Sequence, residues 1–490
     1  MTLAAPKTEP ITAGGALPLC VDLDGTLTYS DTLMEGLASH PRNGSLVRAF
    51  VTLLSRGRAA FKQRIAAGAP FDPGLLPYNE ALLDYLAKER RGGRYLVLAT
   101  AANRNIAAGV ADHLGLFDEI VASDETRNLK GSAKAAALCA RFGVRGFAYA
   151  GNDNSDLAVW KVAGSAILVN VSPRIGARAQ RLAPVEAAMP GRSLPLRALL
   201  SAMRPHQWVK NLLVFIPIFT AHAVSNLGDW LNGTLMFLAF CATASSIYLF
   251  NDATDLAADR RHPRKRLRPF ASGALPLSGG LMVAFLLAAL GLALAAASGT
   301  VAVILTYAAM SMAYSLSLKE QPLVDVFMLA ALYTIRLFGG GIATGHELSL
   351  WLLAFSGFLF LGLALLKRVA ELSSTRASDS RLVARRGYGA SDISVLLAFG
   401  CCASFASSLV LALFVQWESA AAQYASPGLL WGIVPLMLFW QCRLWLSTTR
   451  GYMHDDPIVY SARDWVSWIV GASMLVILLM AHSVVLRGFP

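Results

Sequence analysis

Charge is scarce in this chain: 15% of its 490 residues are Asp, Glu, Lys or Arg, against 55% hydrophobic. The shortage lies in the last 290 residues, whereas the first 200 have the composition of a soluble domain. With a mean hydropathy of +0.50, that contrast excludes one ordinary soluble globule and points to a soluble part followed by a membrane part. Cysteine is scarce too. Cys20, Cys139, Cys241, Cys401, Cys402 and Cys442 show no metal-ligand spacing and sit mostly in apolar runs, which excludes a disulfide framework. Met1 to Gly15 lack a basic-then-apolar leader, so the N-terminus is expected to stay in the cytoplasm.

A third absence sets the topology. Nine apolar runs lie near 211–226, 233–250, 278–297, 300–314, 323–340, 350–366, 393–415, 428–444 and 465–485. The connections at 226–232, 297–300, 341–350 and 416–428 contain no Lys or Arg. The opposite loops hold Arg264 and its neighbours, Lys319, Lys367 to Arg386 and Arg443 to Arg463. Cationic loops stay inside, so the charged loops are expected on the cytoplasmic face of a bacterial-type inner membrane. The net charge of +12 then suits anionic lipid and phosphorylated substrates rather than nucleic acid.

The stretch from Asn251 to Arg268 follows directly on an apolar run, with nothing to break a helix before Pro263. On a helix Asn251, Asp255 and Asp259 share a face, with Asp252 beside them. Carboxylates stacked at a membrane surface repel one another unless a divalent cation lies between them. Mg²⁺ suits the position because it binds through a few carboxylates plus substrate phosphates. Arg260, Arg261, Arg264, Lys265, Arg266 and Arg268 add a cationic rim for phosphate. A solvated loop that only sets topology accounts for the arginines, but not for three acids in register. The combination describes a diphosphate site.

In the first 200 residues, the apolar run Ala16 to Val21 delivers Asp22-Leu23-Asp24-Gly25-Thr26 at its end, the usual position of an α/β active site. Arg94 to Thr100 is a second strand, Glu119 to Ser123 a third, and Phe147 to Gly151 leads into Asn152-Asp153-Asn154-Ser155-Asp156. Lys130 and Lys134 lie in the helix-forming run from Asn128 to Phe142. Taken together these residues resemble the haloacid dehalogenase phosphatases, over about residues 17–171. The resemblance implies a doubly wound parallel sheet with Asp22 as nucleophile, Asp24 as proton shuttle and Thr100 as phosphoryl-binding hydroxyl. It also implies a neutralising lysine, Lys134 or alternatively Lys130, and Mg²⁺ held by Asp22, Asp24 and Asp156. Asn152 stands where that family places an acid, so Asp153 is a possible substitute and a scaffold-only domain an alternative. Asp31 to about Glu89 is expected to form a small helical cap. Residues 1–16 are expected to be disordered, and 172–206 to be a basic linker or interfacial helix bearing Arg174, Arg178, Arg181, Arg192 and Arg197.

Further polar groups collect on the same face of the all-α membrane domain expected over 207–490, with about nine transmembrane helices. Lys210 introduces the first span, Tyr314 and Lys319 precede Asp325, Arg336 lies deeper in that span, and Lys367 and Arg368 close the next. An acid one turn into a membrane helix is costly without a partner, which marks Asp325. The pattern Asn-Asp-x-x-Asp-x-x-x-Asp at 251–259, with Asp325 following, resembles the UbiA prenyltransferase superfamily. Leu329 replaces the later acid of its second motif. Arg-Pro-x-Gln-Trp-x-Lys-Asn at 204–211 and His-Pro-x-Lys-Arg-x-Arg-Pro at 262–269 resemble the decaprenyl-phosphate phosphoribosyltransferase branch. That resemblance implies phosphoribosyl diphosphate and a polyprenyl phosphate as substrates. Asp252, Asp255, Asp259 and Asp325 would act with Mg²⁺, and Lys210, Asn251, Lys265, Arg266, Arg268, Tyr314, Lys319 and Lys367 would bind substrate. An aromatic prenyltransferase using a prenyl diphosphate, or a non-catalytic lipid-binding scaffold, are the alternatives.

Overall fold

The computed structural model describes residues 16–38, 72–124, 127–190, 196–375, 387–416, 424–453 and 456–483. The chain divides into two compact units. One holds the N-terminal region to Met203 together with Tyr248–Val283; the other holds Arg204–Ile247 and the chain from Ala284 onward.

The first unit is built on a six-stranded sheet in the order β3-β2-β1-β4-β5-β6. Its strands are β1 Leu19–Val21, β2 Leu96–Asn103, β3 Glu119–Ser123, β4 Ala148–Gly151, β5 Ser165–Val169 and β6 Val185–Met189, and every pairing is parallel. Near-continuous apolar runs are what a parallel sheet covered on both faces requires. Leu19, Val21, Leu96, Leu98, Ala148 and Ala150 enter one core. Their sequence neighbours Cys20, Val97, Ala99, Phe147 and Tyr149 enter the other. The order reverses around β1, which lies between β2 and β4, so a cleft opens at the carboxyl ends of these strands. Asp22 follows β1 there and Asn152 follows β4.

The sheet runs past the boundary expected at 171. Helix Pro173–Gln180 and β6 occupy part of the expected linker, and helix Leu196–Met203 follows. The half-exposed edge strand Val-Glu-Ala-Ala-Met has too little apolar alternation to announce itself. It is secured instead by Glu186, whose carboxylate takes both nitrogens of the buried Arg94 guanidinium, Nη2 at 3.1 Å. Of the expected cap, helix Thr32–Ala38, a 3₁₀ turn at Pro73–Leu75 and helix Glu80–Arg91 are described; positions 39–71 lie outside the described residues, as do 1–15 of the expected N-terminal tail.

Seven helices among the described residues are long and apolar enough to cross a membrane: Leu227–Thr254, Leu277–Ala297, Val324–Thr344, Leu350–Ser373, Ile393–Val415, Pro427–Thr449 and Trp465–His482. Val301–Leu316 is a shorter apolar helix. These account for eight of the nine expected runs. The run at 211–226 instead forms a 3₁₀ segment, Pro205–Phe215, and a short helix, Ile216–Thr220. Pro217 has no amide hydrogen to give, so one continuous α-helix through this run would lack a rung. On Leu277–Ala297 the side chains of Met282, Phe285, Leu286 and Leu290 are exposed, as suits a lipid-facing helix.

Candidate active sites

In the first unit, Asp22 caps β1 with one oxygen on the backbone of Leu23 at 2.9 Å. The same oxygen meets Lys134 Nζ at 2.8 Å. Lys134 is itself buried and donates to the Tyr149 hydroxyl at 2.8 Å, which donates to Asp156 Oδ1 at 2.9 Å. The helix Ser132–Phe142 thus delivers Lys134, whereas Lys130 precedes it and is exposed. Burial pushes the Asp22 carboxyl up to about 6 despite the opposing charge of Lys134. Burial, with Asp31 nearby, pushes Asp24 up to about 7, while its Oδ1 accepts from the backbone of Thr32 at 2.9 Å. Two carboxyl groups poised near neutrality beside a buried lysine are an arrangement that can supply a nucleophile and a proton carrier. Thr100 is fully buried, and its hydroxyl accepts from Ala102 N at 3.0 Å. The cavity wall at this place is made by Ala101, Ala102 and Asn103.

Asp156 is committed elsewhere than the cavity. Its Oδ2 accepts from the backbone amides of Asn152 and Asp153 at 2.9 and 3.0 Å, so it ties the loop after β4. Asn152 turns toward the Asp22 loop, accepting from the Thr26 hydroxyl at 3.2 Å. A side chain at Gly25, where φ is +75°, would place its Cβ 2.2 Å from Asn152 Nδ2; only glycine fits this turn. Among the described residues no group of three or more His, Cys, Asp or Glu is placed to hold a metal ion. Asp22 and Asp24 with the Asn152 amide oxygen still offer the hard oxygen donors that Mg²⁺ takes while keeping several waters.

The same unit contains the aspartate segment. Helix Leu227–Thr254 ends before Asp255, and a short helix, Leu256–Arg261, follows. The expected helix is kinked at Asp255, where φ is −91° and ψ 9°, but its hydrogen-bond ladder continues, with Asp255 N on Asn251 O at 2.9 Å and Asp259 N on Asp255 O at 2.8 Å. Asp252 and Asp259 are buried. They converge on one guanidinium nitrogen: Arg268 Nη1 lies 3.2 Å from Asp252 Oδ1 and 2.7 Å from Asp259 Oδ2. Burial raises the Asp259 carboxyl, and Arg268 opposes the rise. Two buried carboxylates aimed at a single cation fit a divalent ion as well as an arginine. Asn251 and Asp255 are half-buried beside them, and Lys265 and Arg266 are exposed on the turn that follows.

In the second unit Lys210 Nζ meets Asp456 Oδ2 at 2.7 Å, and Lys367 Nζ meets the same oxygen at 3.2 Å. The Tyr333 hydroxyl donates to Asp456 Oδ1 at 3.0 Å. Burial would raise the Asp456 carboxyl, but Lys210 and Lys367 outweigh it and hold the group well below the carboxylate range. Burial lowers Lys210 to about 8 in spite of that partner. Asp456 was not among the residues singled out from sequence; its one local sign is Pro457, which with an Asp before it begins a helix. Deeper, Arg336 donates to Asn211 Oδ1 at 2.7 Å and lies over the Tyr307 ring. Asp325 is fully buried against Arg368 and accepts from the Tyr388 hydroxyl at 2.6 Å; Glu371 is a second partner of Arg368, and Tyr314 faces the same guanidinium. Lys319 is half-buried in the turn Leu318–Glu320. Beside Asp325 in sequence, Val326 and Phe327 join Leu361, Leu365, Phe399 and Ala403 around an apolar cleft of about 370 Å³.

Residues 212–451 match the UbiA prenyltransferase family, and residues 19–159 match the haloacid dehalogenase-like hydrolases. The chain belongs to the UbiA prenyltransferase family and carries a haloacid dehalogenase-like domain at its N-terminal end. This UbiA protein is 35% identical over 472 residues to the Sinorhizobium fredii protein y4nM, a match covering 95% of this chain and 91% of that one. It is 34% identical over 297 residues to the nodulation protein NoeC of Azorhizobium caulinodans, covering 60% of this chain and 94% of NoeC. A decaprenyl-phosphate phosphoribosyltransferase of Corynebacterium glutamicum is 39% identical over 180 residues, 36% of this chain and 54% of that enzyme. This chain is thus a multi-pass membrane protein of the UbiA type, with a parallel α/β domain ahead of its membrane helices.

Proposed function

We propose that the membrane domain transfers a 5-phosphoribosyl group from phosphoribosyl diphosphate to a polyprenyl phosphate, and that the N-terminal domain removes the 5-phosphate of the product. The observation that carries the transfer is the convergence of buried Asp252 and Asp259 on one cation, in a chain similar over 180 residues to a decaprenyl-phosphate phosphoribosyltransferase. Asp252, Asp255 and Asp259 are the residues that would hold Mg²⁺. Bound there, Mg²⁺ supplies charge neutralisation for the leaving diphosphate. Arg268 then turns from the carboxylates to a phosphate, with Lys265 and Arg266 beside it. The bond from C1 of the ribose to the diphosphate breaks as the lipid phosphate oxygen forms its own bond to C1 from the other face. In the second unit, Lys210 and Lys367 are the phosphate-binding candidates, held apart from each other's charge by Asp456. Asp325 acts through Arg368, which it neutralises and orients together with Tyr388. The apolar cleft next to Asp325 offers room for part of a prenyl chain.

In the phosphatase step Asp22 attacks phosphorus, the ribose 5-oxygen leaves with a proton from Asp24, and water then releases phosphate from Asp22. Lys134 neutralises the nucleophile, and Asp22 and Asp24 are the residues that would hold Mg²⁺ there. With positively charged loops inside, both activities face the cytoplasm of a bacterial-type inner membrane.

Leu329 where a second acid would stand speaks against an aromatic prenyltransferase. The deciding experiment supplies the purified protein with labelled phosphoribosyl diphosphate, polyprenyl phosphate and Mg²⁺. Transfer followed by loss of the 5-phosphate is expected. Asp22→Asn should stop at the phosphorylated lipid at an unchanged rate of transfer. A wild-type protein that also stops there would show that Asn152 has cost the domain its metal, and the phosphatase role would fail.

A further inference from the structure

The cavity that contains Asp22, Asp24 and Lys134 has a volume of about 580 Å³, and part of its wall belongs to the aspartate segment: Leu256, Ala257, Arg260 and Arg261. Arg260 is not a loose cation there. Its Nη1 and Nη2 lie 2.9 and 2.8 Å from the two oxygens of Glu35, and its Nε donates to Ala271 O at 3.2 Å. The side chains of this forked pair are mostly buried at the cavity wall, at 7% exposure for Arg260 and 12% for Glu35. Glu35 belongs to helix Thr32–Ala38 of the phosphatase-like domain, 225 residues away in sequence.

Two further contacts bind the same segment. Arg261 Nη2 lies 3.7 Å from Asp72 Oδ2. At Gly273, where φ is +70°, a Cβ would stand 2.8 Å from Tyr29 Cβ and 3.1 Å from Pro77 Cβ, so the backbone presses directly on the phosphatase-like domain. The stretch held in this way carries Asp259 immediately before Arg260, and Arg268 between Ala271 and the two carboxylates that it joins.

We propose that Glu35 and Arg260 are positioning residues for the diphosphate site: the phosphatase-like domain clamps the aspartate segment in the arrangement that brings Asp252 and Asp259 onto one cation. The inference rests on reading Asp252, Asp255 and Asp259 as the diphosphate site, and it gives the N-terminal domain a second task, independent of its own chemistry. A forked pair largely removed from water is costly to break, because the remaining partner is left charged and mostly buried. A ligand set displaced by about 1 Å loses much of its effect, up to about 100-fold in a reacting site.

The test uses the full-length protein and inorganic diphosphate with Mg²⁺ as the probe. Glu35→Gln removes the charge of the clamp, and Gly273→Val attacks the same contact without touching a charge, by steric pressure and the strain of a β-branched residue at positive φ. Each variant is expected to weaken diphosphate binding about tenfold and to speed amide hydrogen exchange over residues 256–275, while the KM for polyprenyl phosphate stays within about twofold of wild type. Glu35→Arg combined with Arg260→Glu is expected to recover part of the lost affinity. Unchanged diphosphate affinity in both single variants overturns the clamp, whether or not exchange rises. An equal rise in the KM for the lipid overturns it as well, since that marks general loosening. A wild type that binds diphosphate but transfers a prenyl rather than a phosphoribosyl group overturns the donor assignment and leaves the clamp standing; a wild type that binds no diphosphate overturns both.

Discussion

Asp456→Asn isolates the buried charge network of the second unit. The carboxylate takes Lys210 at 2.7 Å, Lys367 at 3.2 Å and the Tyr333 hydroxyl at 3.0 Å, and caps the next helix at Ile458 N, 3.2 Å away. Asparagine keeps the shape, and its amide oxygen can still accept, but two cations are left facing each other. Removing one member of a buried pair costs about 3–5 kcal/mol when the other must stay charged. Lys210 offers a partial escape, because burial already lowers it to about 8 and loss of Asp456 lowers it further, so at neutral pH it sheds its proton. Only Lys367, a quarter exposed, then remains charged, and water reaches it. A net loss of about 2 kcal/mol is expected. In the double-mutant cycle with Lys210→Met, a coupling on the order of 1–3 kcal/mol is expected. Thermal unfolding in detergent across pH 6 to 9 reads the effect, with the deficit of Asp456→Asn smaller at the alkaline end (about pH 9), where neutral Lys210 is no longer a burden. Equal stability of Asp456→Asn and wild type at every pH, or a cycle with no coupling, would refute the assignment of Asp456 as the charge that holds these lysines.

Three other outcomes are expected. Asp255→Ala or Asp259→Ala should abolish transfer while the protein stays folded, and a chelator should do the same; full activity in either case removes Mg²⁺ from the proposal. In metal-free protein, Asp22 and Asp24 have folded pKa values of about 6 and 7, above their ordinary range. Their contribution to stability is therefore complete below about pH 4 and is lost as pH rises through those values. Stabilisation by Mg²⁺, read by thermal unfolding, should accordingly grow between about pH 5 and 7.5; a pH-independent shift contradicts Mg²⁺ binding at these acids. Cysteines placed at Ser225 or Ser426 should be labelled from outside and one at Ser461 from the cytoplasm, with inverted access overturning the orientation. Ser378, on the same inner side by its flanking charges, lies outside the described residues.

Much of the architecture follows from local pattern. An apolar run that stops at Asp22, or at Gly151, can only be a covered strand with its polar end at the rim of a sheet, because backbone pairing and burial act on a few consecutive residues. Among the described residues seven apolar runs became bilayer-length helices, and an eighth a shorter one, because an apolar stretch in a bilayer has no other way to satisfy its backbone. Even there, single residues intervened: Pro217 denied the first run its helix, and Asp255 kinked the aspartate helix that its i, i+4 spacing predicts.

The partners of the charged groups were decided only in three dimensions. Lys134 rather than Lys130 meets Asp22 because the helix begins at Ser132. Asp156 spends its oxygens on its own loop and on Tyr149, so its spacing after Gly151 does not disclose where it points. Asp456 finds Lys210 across 246 positions, and Glu35 finds Arg260 across 225. No period in the sequence links such pairs. A buried charge must find an opposite one, but which one is settled by how the helices and the sheet pack, and that packing belongs to the whole unit rather than to any stretch of it.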